Sequence, residues 1–242
     1  MITNFELEST FHFFQKTLSK KSIFSVYPEL LNEIEGYKKL LNKSNIVPNK
    51  SYIEYFIIPI KTYIGDDGYS LIWNIDKILK DQKSLMKYKK AIGIDNKSIY
   101  SPSLHLNEKK IEQFIRIPKF KKPITLAFHN PIHKWIVIDG NHRFHAAKKR
   151  MDSNIDAILL QPKKHCEYLT NDLCINLYRV HHNLFFLINL ANAPLLGKYT
   201  YSYKLEEKTF YPLITNSCNF SFFKRLQLKF KQIRKNEIQT KQ

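Results

Sequence analysis

The sequence predicts an α+β protein, a small mixed sheet with helical N- and C-terminal extensions. Three observations lead there. Strand-like runs rich in β-branched and aromatic residues alternate with short helical runs in the middle of the chain. Apolar residues at helical spacing dominate both ends. Only 6 Gly occur among 242 residues, which argues against a many-stranded sandwich full of tight turns.

The elements follow in order. Residues 5 to 42 read as helical, with Phe11, Phe14 and Leu18 on one face and Leu30, Leu31, Ile34 and Leu41 on another, and Pro28 opening the second helix. A polar linker, Lys43 to Lys50, precedes a strand over Tyr52 to Ile58 that ends near Pro59. Gly65-Asp66-Asp67-Gly68 reads as a solvated turn, and Ile75 to Lys90 as a charged surface helix. Ser101-Pro102-Ser103 is a loop. Asn107 caps a helix over Glu108 to Ile115 with Ile111, Phe114 and Ile115 inward, and Pro118 stops it. Pro123 to Phe128 and Lys134 to Ile138 form a hairpin around His129-Asn130-Pro131. Asp139-Gly140 breaks the second strand, Asn141 to Arg150 is a helix, and Ile155 to Leu160 is a strand ended by Pro162. The chain is then helical through Leu173 to Ala191, with a short strand or extended loop at Tyr199 to Tyr203. From Phe222 onwards, Phe222, Leu226, Phe230 and Ile233 share one face of a basic helix. These boundaries divide the chain into 1–48, a helical N-terminal extension; 49–165, the α+β domain; and 166–242, a helical basic C-terminal extension.

Composition bounds the function. Hydrophobic residues at 43% exclude wholesale disorder. The bias towards Lys, Asn and Ile is that of an AT-rich bacterial or mobile-element genome. A net charge of +18 calls for a polyanionic partner: nucleotide phosphates, nucleic acid or an anionic membrane face. Cys166, Cys174 and Cys218 form no C-x-x-C pair and imply no disulfide framework, which fits a reducing cytoplasm. Met1 to Phe14 lacks the basic start of a signal peptide, and Leu173 to Ala191 carries too many polar groups for a transmembrane segment.

The chemistry concentrates in Val137-Ile138-Asp139-Gly140-Asn141-His142-Arg143-Phe144-His145-Ala146-Ala147. A strand that ends in Asp-Gly and opens into a helix at Asn-His-Arg presents unpaired N–H groups and a partial positive charge to an anion. Gly140 permits the sharp turn, Asn141 caps the helix, and Arg143 supplies a planar fork for phosphate oxygens. His142 either donates to phosphate or shuttles a proton. Asp139 either holds a divalent metal or orients His142 or Arg143. Ala146 and Ala147 let the helix sit close to the sheet. His129, His133, His142 and His145 lack the carboxylate or Cys partners of a dedicated zinc site.

The run "VIDGNHRFHAAKKR" resembles the phosphate-binding motif of the ParB/sulfiredoxin superfamily, written G-E-R-R-x-R-A in partition proteins and D-G-N-H-R or D-G-H-H-R in other branches. The incoming "KPITLAFHNPIHKWIVIDG" hairpin, the earlier "SPSLHLNEKKIEQFI" segment and the outgoing "IDAILL" strand are similar to the family's flanking elements, so the resemblance covers residues 98 to 162. It implies a small mixed sheet that binds a nucleoside triphosphate, ATP or CTP, with Mg²⁺, through Gly140, Asn141, His142 and Arg143, with His105 near the place of an arginine in partition proteins. Members bind CTP, phosphorylate small substrates, repair a peroxiredoxin sulfinate or are classed as nucleases.

Departures narrow this. Ser103, Leu104 and His105 stand where kinase members carry an acidic base, so a serine kinase would need Glu108 or Glu112 in that role. The sulfiredoxin catalytic cysteine is replaced, which sets aside sulfinate reduction. No clean helix-turn-helix follows residue 163. Two readings stand: an enzyme acting on phosphate bonds (phosphotransferase, NTPase or nuclease) with His142, Asp139 and Arg143 catalytic and Asp139 the metal ligand, or a nucleotide-gated DNA-binding protein. In the second, nucleic acid meets the basic surface and the C-terminal helix.

Overall fold

The computed structural model describes residues 5–19, 29–44, 55–62, 66–101 and 106–196. The chain divides into two compact units, one drawn from 1–46, 61–69 and 176–242, the other from 47–60 and 70–175. The expected segments at Tyr199 to Tyr203 and from Phe222 onwards, with Pro28 and Cys218, lie outside the described residues.

The first unit begins with a two-residue strand, β1 (Phe5–Glu6), where a continuous helix was expected; helix α1 (Glu8–Ser19) and helix α2 (Glu29–Lys43) follow. Strand β2 (Tyr55–Lys61) and strand β3 (Gly68–Asn74) carry the chain through both units, and β3 lies between β1 and β2. Pro59 sits inside β2 rather than ending it. As an edge strand, β2 tolerates a residue that cannot donate to the ladder.

Asp67 is buried, not solvated as its Gly-rich surroundings suggested. Its Oδ2 accepts the N–H of Thr10 at 2.5 Å, and its carbonyl accepts the N–H of Thr62 at 3.1 Å. Thr10 is in the first turn of α1, and Leu7, the residue just before the helix, has no side-chain oxygen. The carboxylate of Asp67 therefore caps the helix from a distant segment, where the helix dipole favours it. Phe11 and Phe14 of α1 and Tyr37 and Leu41 of α2 are buried in this unit.

In the second unit, the expected helix over Ile75 to Lys90 breaks into α3 (Ile75–Lys80), α4 (Gln82–Leu85) and a 3-10 turn (Met86–Tyr88). Its end turns into strand β4 (Lys89–Gly93), followed by strand β5 (Ile99–Tyr100). Helix α5 (Glu108–Ile115) forms as expected, with Asn107 capping it through Oδ1 to the N–H of Lys110 and Ile111 buried. Strands β6 (Ile124–His129) and β7 (Lys134–Asp139), helix α6 (Asn141–Lys149) and strand β8 (Asn154–Leu160) follow the predicted order. Helix α7 (Pro162–Cys166) and helix α8 (Asp172–Leu196) complete the described chain.

The five-stranded sheet runs β4-β8-β6-β7-β5. The β4–β8 and β6–β7 pairs are antiparallel, while β6–β8 and β5–β7 are parallel, so the sheet is mixed. Ile124 and Leu126 of β6, Val137 of β7 and Ile155 and Ala157 of β8 share the face that meets Phe144 and Ala147 of α6. Residues at alternate positions, Ala127, Ile136, Ile158 and Leu160, are buried too, and α7 lies against β6 and β8. Fully buried Ala146 and Ala147 let the α6 backbone approach the sheet closely. Among the described residues no helix is long and apolar enough to cross a membrane.

The long helix α8 contributes a buried polar contact to the first unit. Tyr69 Oη lies 2.7 Å from His181 Nδ1. Burial, reinforced by His182, pushes the His181 imidazole down to about 3 from 6.5. The unfolded chain therefore binds a proton below pH 6.5 that the folded chain refuses until about pH 3, and stability is lost as pH falls through this window. Urea denaturation should show stability declining on acidification by up to about 1.4 kcal/mol per pH unit from this group. His181→Gln should flatten that slope.

Candidate functional site

Strand β7 delivers the chain to a left-handed residue, Gly140, with φ 87° and ψ 25°, and α6 starts at the next position. Gly140 is thus the cap residue, and Asn141, expected to cap the helix, is its first helical residue. A glycine brings no side-chain oxygen to the cap, and the leading N–H groups of Asn141, His142 and Arg143 have no acceptor within the helix. Space demands glycine as strongly as the backbone does. A Cβ there would stand 2.7 Å from Ile124 Cγ2 and 2.8 Å from Arg143 Nη2.

Arg143 is a brace. Its Nη1 donates to the carbonyls of Lys122 at 2.5 Å and Pro123 at 2.9 Å, and its Nη2 donates to Asp139 Oδ2 at 3.1 Å. The guanidinium folds back over Gly140 and ties the end of β7 to the residues that enter β6. Three of its five N–H groups are spent on this. Asp139 and Arg143 are largely covered, with side chains 19% and 13% exposed. A guanidinium paired to the Asp139 carboxylate opposes a divalent cation there. No group of three or more His, Cys, Asp or Glu side chains among the described residues is placed to hold a metal ion. Asp139 Oδ2 orients Arg143, one of the roles the sequence left open for it.

His142 projects towards α5. Its Nε2 accepts the backbone N–H of Asn107 at 3.0 Å, so the neutral ring carries its proton on Nδ1. Burial, then the neighbouring Lys110 ammonium, holds its pKa below 6.5. With Nε2 occupied, the Nδ1–H is the group His142 can offer as a donor. Asn107 therefore serves twice, capping α5 with its side chain and fixing His142 with its backbone, and this brings the leading ends of α5 and α6 together.

One turn further on, Ser101 Oγ donates to Asn141 Oδ1 at 2.7 Å and lies 3.0 Å from His145 Nε2. Asn141 Nδ2 donates in turn to the Val137 carbonyl at 3.2 Å. At the far end of α6, Arg150 pairs with Asp152, donates to the Ile117 carbonyl and stacks 4.6 Å over Phe120, which anchors the turn after α5.

No protein-family model and no curated protein matches the chain. Among solved structures it is similar to sulfiredoxin from Arabidopsis thaliana, at 15% identity and a TM-score of 0.26, over 30% of this chain and 84% of that one. It is also similar to a conserved hypothetical protein from Pyrococcus furiosus, at 22% identity and a TM-score of 0.26, over 30% of this chain and 32% of that one. The chain thus spans about a third of the length of the second protein. The likeness is weak, and neither a family nor an activity follows from it.

Of the residues singled out in the sequence, Asp139, Gly140, Asn141, His142 and Arg143 come together at one turn. His105 lies outside the described residues. Ser101, Asn107 and Lys110 were not foreseen in this role. Asn107 was legible as a cap, but nothing in the sequence marks Ser101 as a partner of residues 40 and 44 positions away.

Gly140→Ala should destabilise the protein by about 1–3 kcal/mol, through the left-handed backbone and the Ile124 clash. Gly93→Ala, whose Cβ would meet only Ser153 O at 3.9 Å, should stay within about 0.5 kcal/mol. Chemical denaturation of both variants measures the difference.

Proposed function

We propose that the second unit binds the phosphates of a nucleoside triphosphate, ATP or CTP, at the start of α6 and acts on a phosphate bond. The observation that supports this most is the glycine-capped helix start: three first-turn N–H groups without an acceptor in the helix, behind a cap residue that brings no side-chain oxygen. In this reading the N–H groups of Asn141, His142 and Arg143 hold phosphate oxygens. His142 Nδ1–H adds a neutral donor, and Lys110 adds positive charge. Arg143 serves from behind, and Asp139 holds it in register. In this reading Asp139 is committed to Arg143 and holds no metal. Magnesium, the ion expected with the nucleotide, would be carried by the phosphates themselves and would neutralise their charge. Every protein group named here acts by binding or orienting.

A second reading is supported by charge. Lys109, Lys110, Arg116, Lys119, Lys121 and Lys122 are exposed on α5 and the loop that follows, close in sequence to the residues that Arg143 grips. That basic run favours a nucleic acid backbone as a second partner of the same unit.

Calorimetry with ATP and CTP, with and without Mg²⁺, tests the first reading. Saturable binding is expected, weakened about tenfold or more, roughly 1.4 kcal/mol or above, in His142→Ala. No binding of either nucleotide, or unaltered affinity in the variant, contradicts it. DNA binding that survives Arg143→Ala and weakens steeply with salt, in the absence of any nucleotide binding, favours the second reading.

A further inference from the structure

We propose that His145 takes the proton from the hydroxyl that attacks the bound phosphate, and that the acceptor, a small hydroxylated anion, sits in the cavity alongside α6. The proposal rests on the phosphate-binding reading and extends it to the second substrate.

A chain of hydrogen bonds assigns the ring's proton. The Val137 carbonyl can only accept, so Asn141 must turn Nδ2 towards it and Oδ1 towards Ser101. Ser101 spends its single hydroxyl proton on Asn141 Oδ1 at 2.7 Å. At 3.0 Å from the same oxygen, His145 Nε2 must then be the donor. Neutral His145 therefore carries its proton on Nε2 and has a basic lone pair on Nδ1. His142 is the reverse, with Nε2 occupied as an acceptor. The two rings divide the work, one a donor and the other a base. Ser101 and Asn141 are positioning residues for His145.

The surroundings fit this task. His145 lines a cavity of about 310 Å³ together with Lys97, Tyr100, Ser101 and Lys148, over Ile94 and Phe144. That volume is at the lower end of small-molecule sites. Two ammonium groups, Lys97 and Lys148, suit an anionic ligand, with Asp95 the acidic residue in the lining. Burial, then Lys148, hold His145 below the ordinary histidine value of 6.5; Glu108 of α5 opposes this, and His142 and Lys149 add to it. The ring is neutral, and so able to accept a proton, throughout the neutral range.

In the step itself, the acceptor oxygen bonds to the terminal phosphorus while the bond from that phosphorus to the bridging oxygen breaks. The bridging oxygen leaves with the electron pair on the nucleoside diphosphate. The hydroxyl proton passes to His145 Nδ1 and is later released to water.

The test uses the full chain with water in the acceptor's place, and measures nucleotide affinity by calorimetry and nucleoside diphosphate release against pH. His145→Gln can keep the bond to Ser101 but has no basic nitrogen. It should bind ATP or CTP within about threefold of the unaltered protein, release diphosphate about 100-fold or more slowly, and lose the acid limb of the pH profile. Ser101→Ala should be slower but keep that limb. Near-normal turnover in His145→Gln, persistence of its acid limb, or a parallel loss of affinity and turnover overturns the proposal. So does binding without turnover by the unaltered protein, which leaves the phosphate site standing. Absence of nucleotide binding by the unaltered protein defeats both readings, and calorimetry shows it before any turnover is measured.

Discussion

The guanidinium of Arg143 lies folded over the α-carbon of Gly140, and the local architecture depends on that contact. Gly140 must adopt a left-handed conformation for β7 to turn directly into α6, and it must lack a side chain because Ile124 and Arg143 occupy the space. Arg143 then joins α6 to two further segments: the end of β7 through Asp139, and the approach to β6 through the Lys122 and Pro123 carbonyls. An arginine fits this because its planar fork reaches several acceptors at once, which an ammonium group does less well. The helix thereby starts on a cap residue that brings no side-chain acceptor to its first N–H groups.

From this constraint the two histidines acquire different characters, although they are only one helical turn apart. His142 is fixed by the backbone of Asn107, and His145 by a relay through Ser101 and Asn141 that begins at the Val137 carbonyl. Burial and the surrounding lysines keep both rings deprotonated near neutrality. A donor and an acceptor of fixed tautomer, next to unpaired helix N–H groups, form a polar arrangement organised before any ligand arrives.

The stretch from Asn107 to Leu160 was legible in the sequence because each element carries its own punctuation. Asn107 caps a helix, Asn130-Pro131 turns a hairpin, Asp139-Gly140 breaks a strand, and Pro162 closes one. Elsewhere the local signals misled. Lys89–Gly93 is an edge strand whose first two residues, exposed lysines, continue the charge pattern of the preceding helix, so Lys89 and Lys90 read as its end. Gly68–Asn74 alternates only over its first residues and is buried on successive ones from Leu71. Asp67 looked like a solvated turn because its partner, Thr10, is 57 positions away. The same limit applies at the site. The composition of the turn was readable, but the acceptors that bind Arg143 are backbone carbonyls 20 and 21 residues upstream, and carbonyls leave no mark in a sequence.

The central claim is that the start of α6 is a phosphate site, and amide NMR reads it directly. Titrating the protein with pyrophosphate and recording backbone ¹⁵N–¹H shifts should move Asn141, His142 and Arg143 most, with Asn107 and Lys110 following. Largest shifts confined to the exposed lysines after α5, or no saturable shifts at residues 141–143, would contradict it.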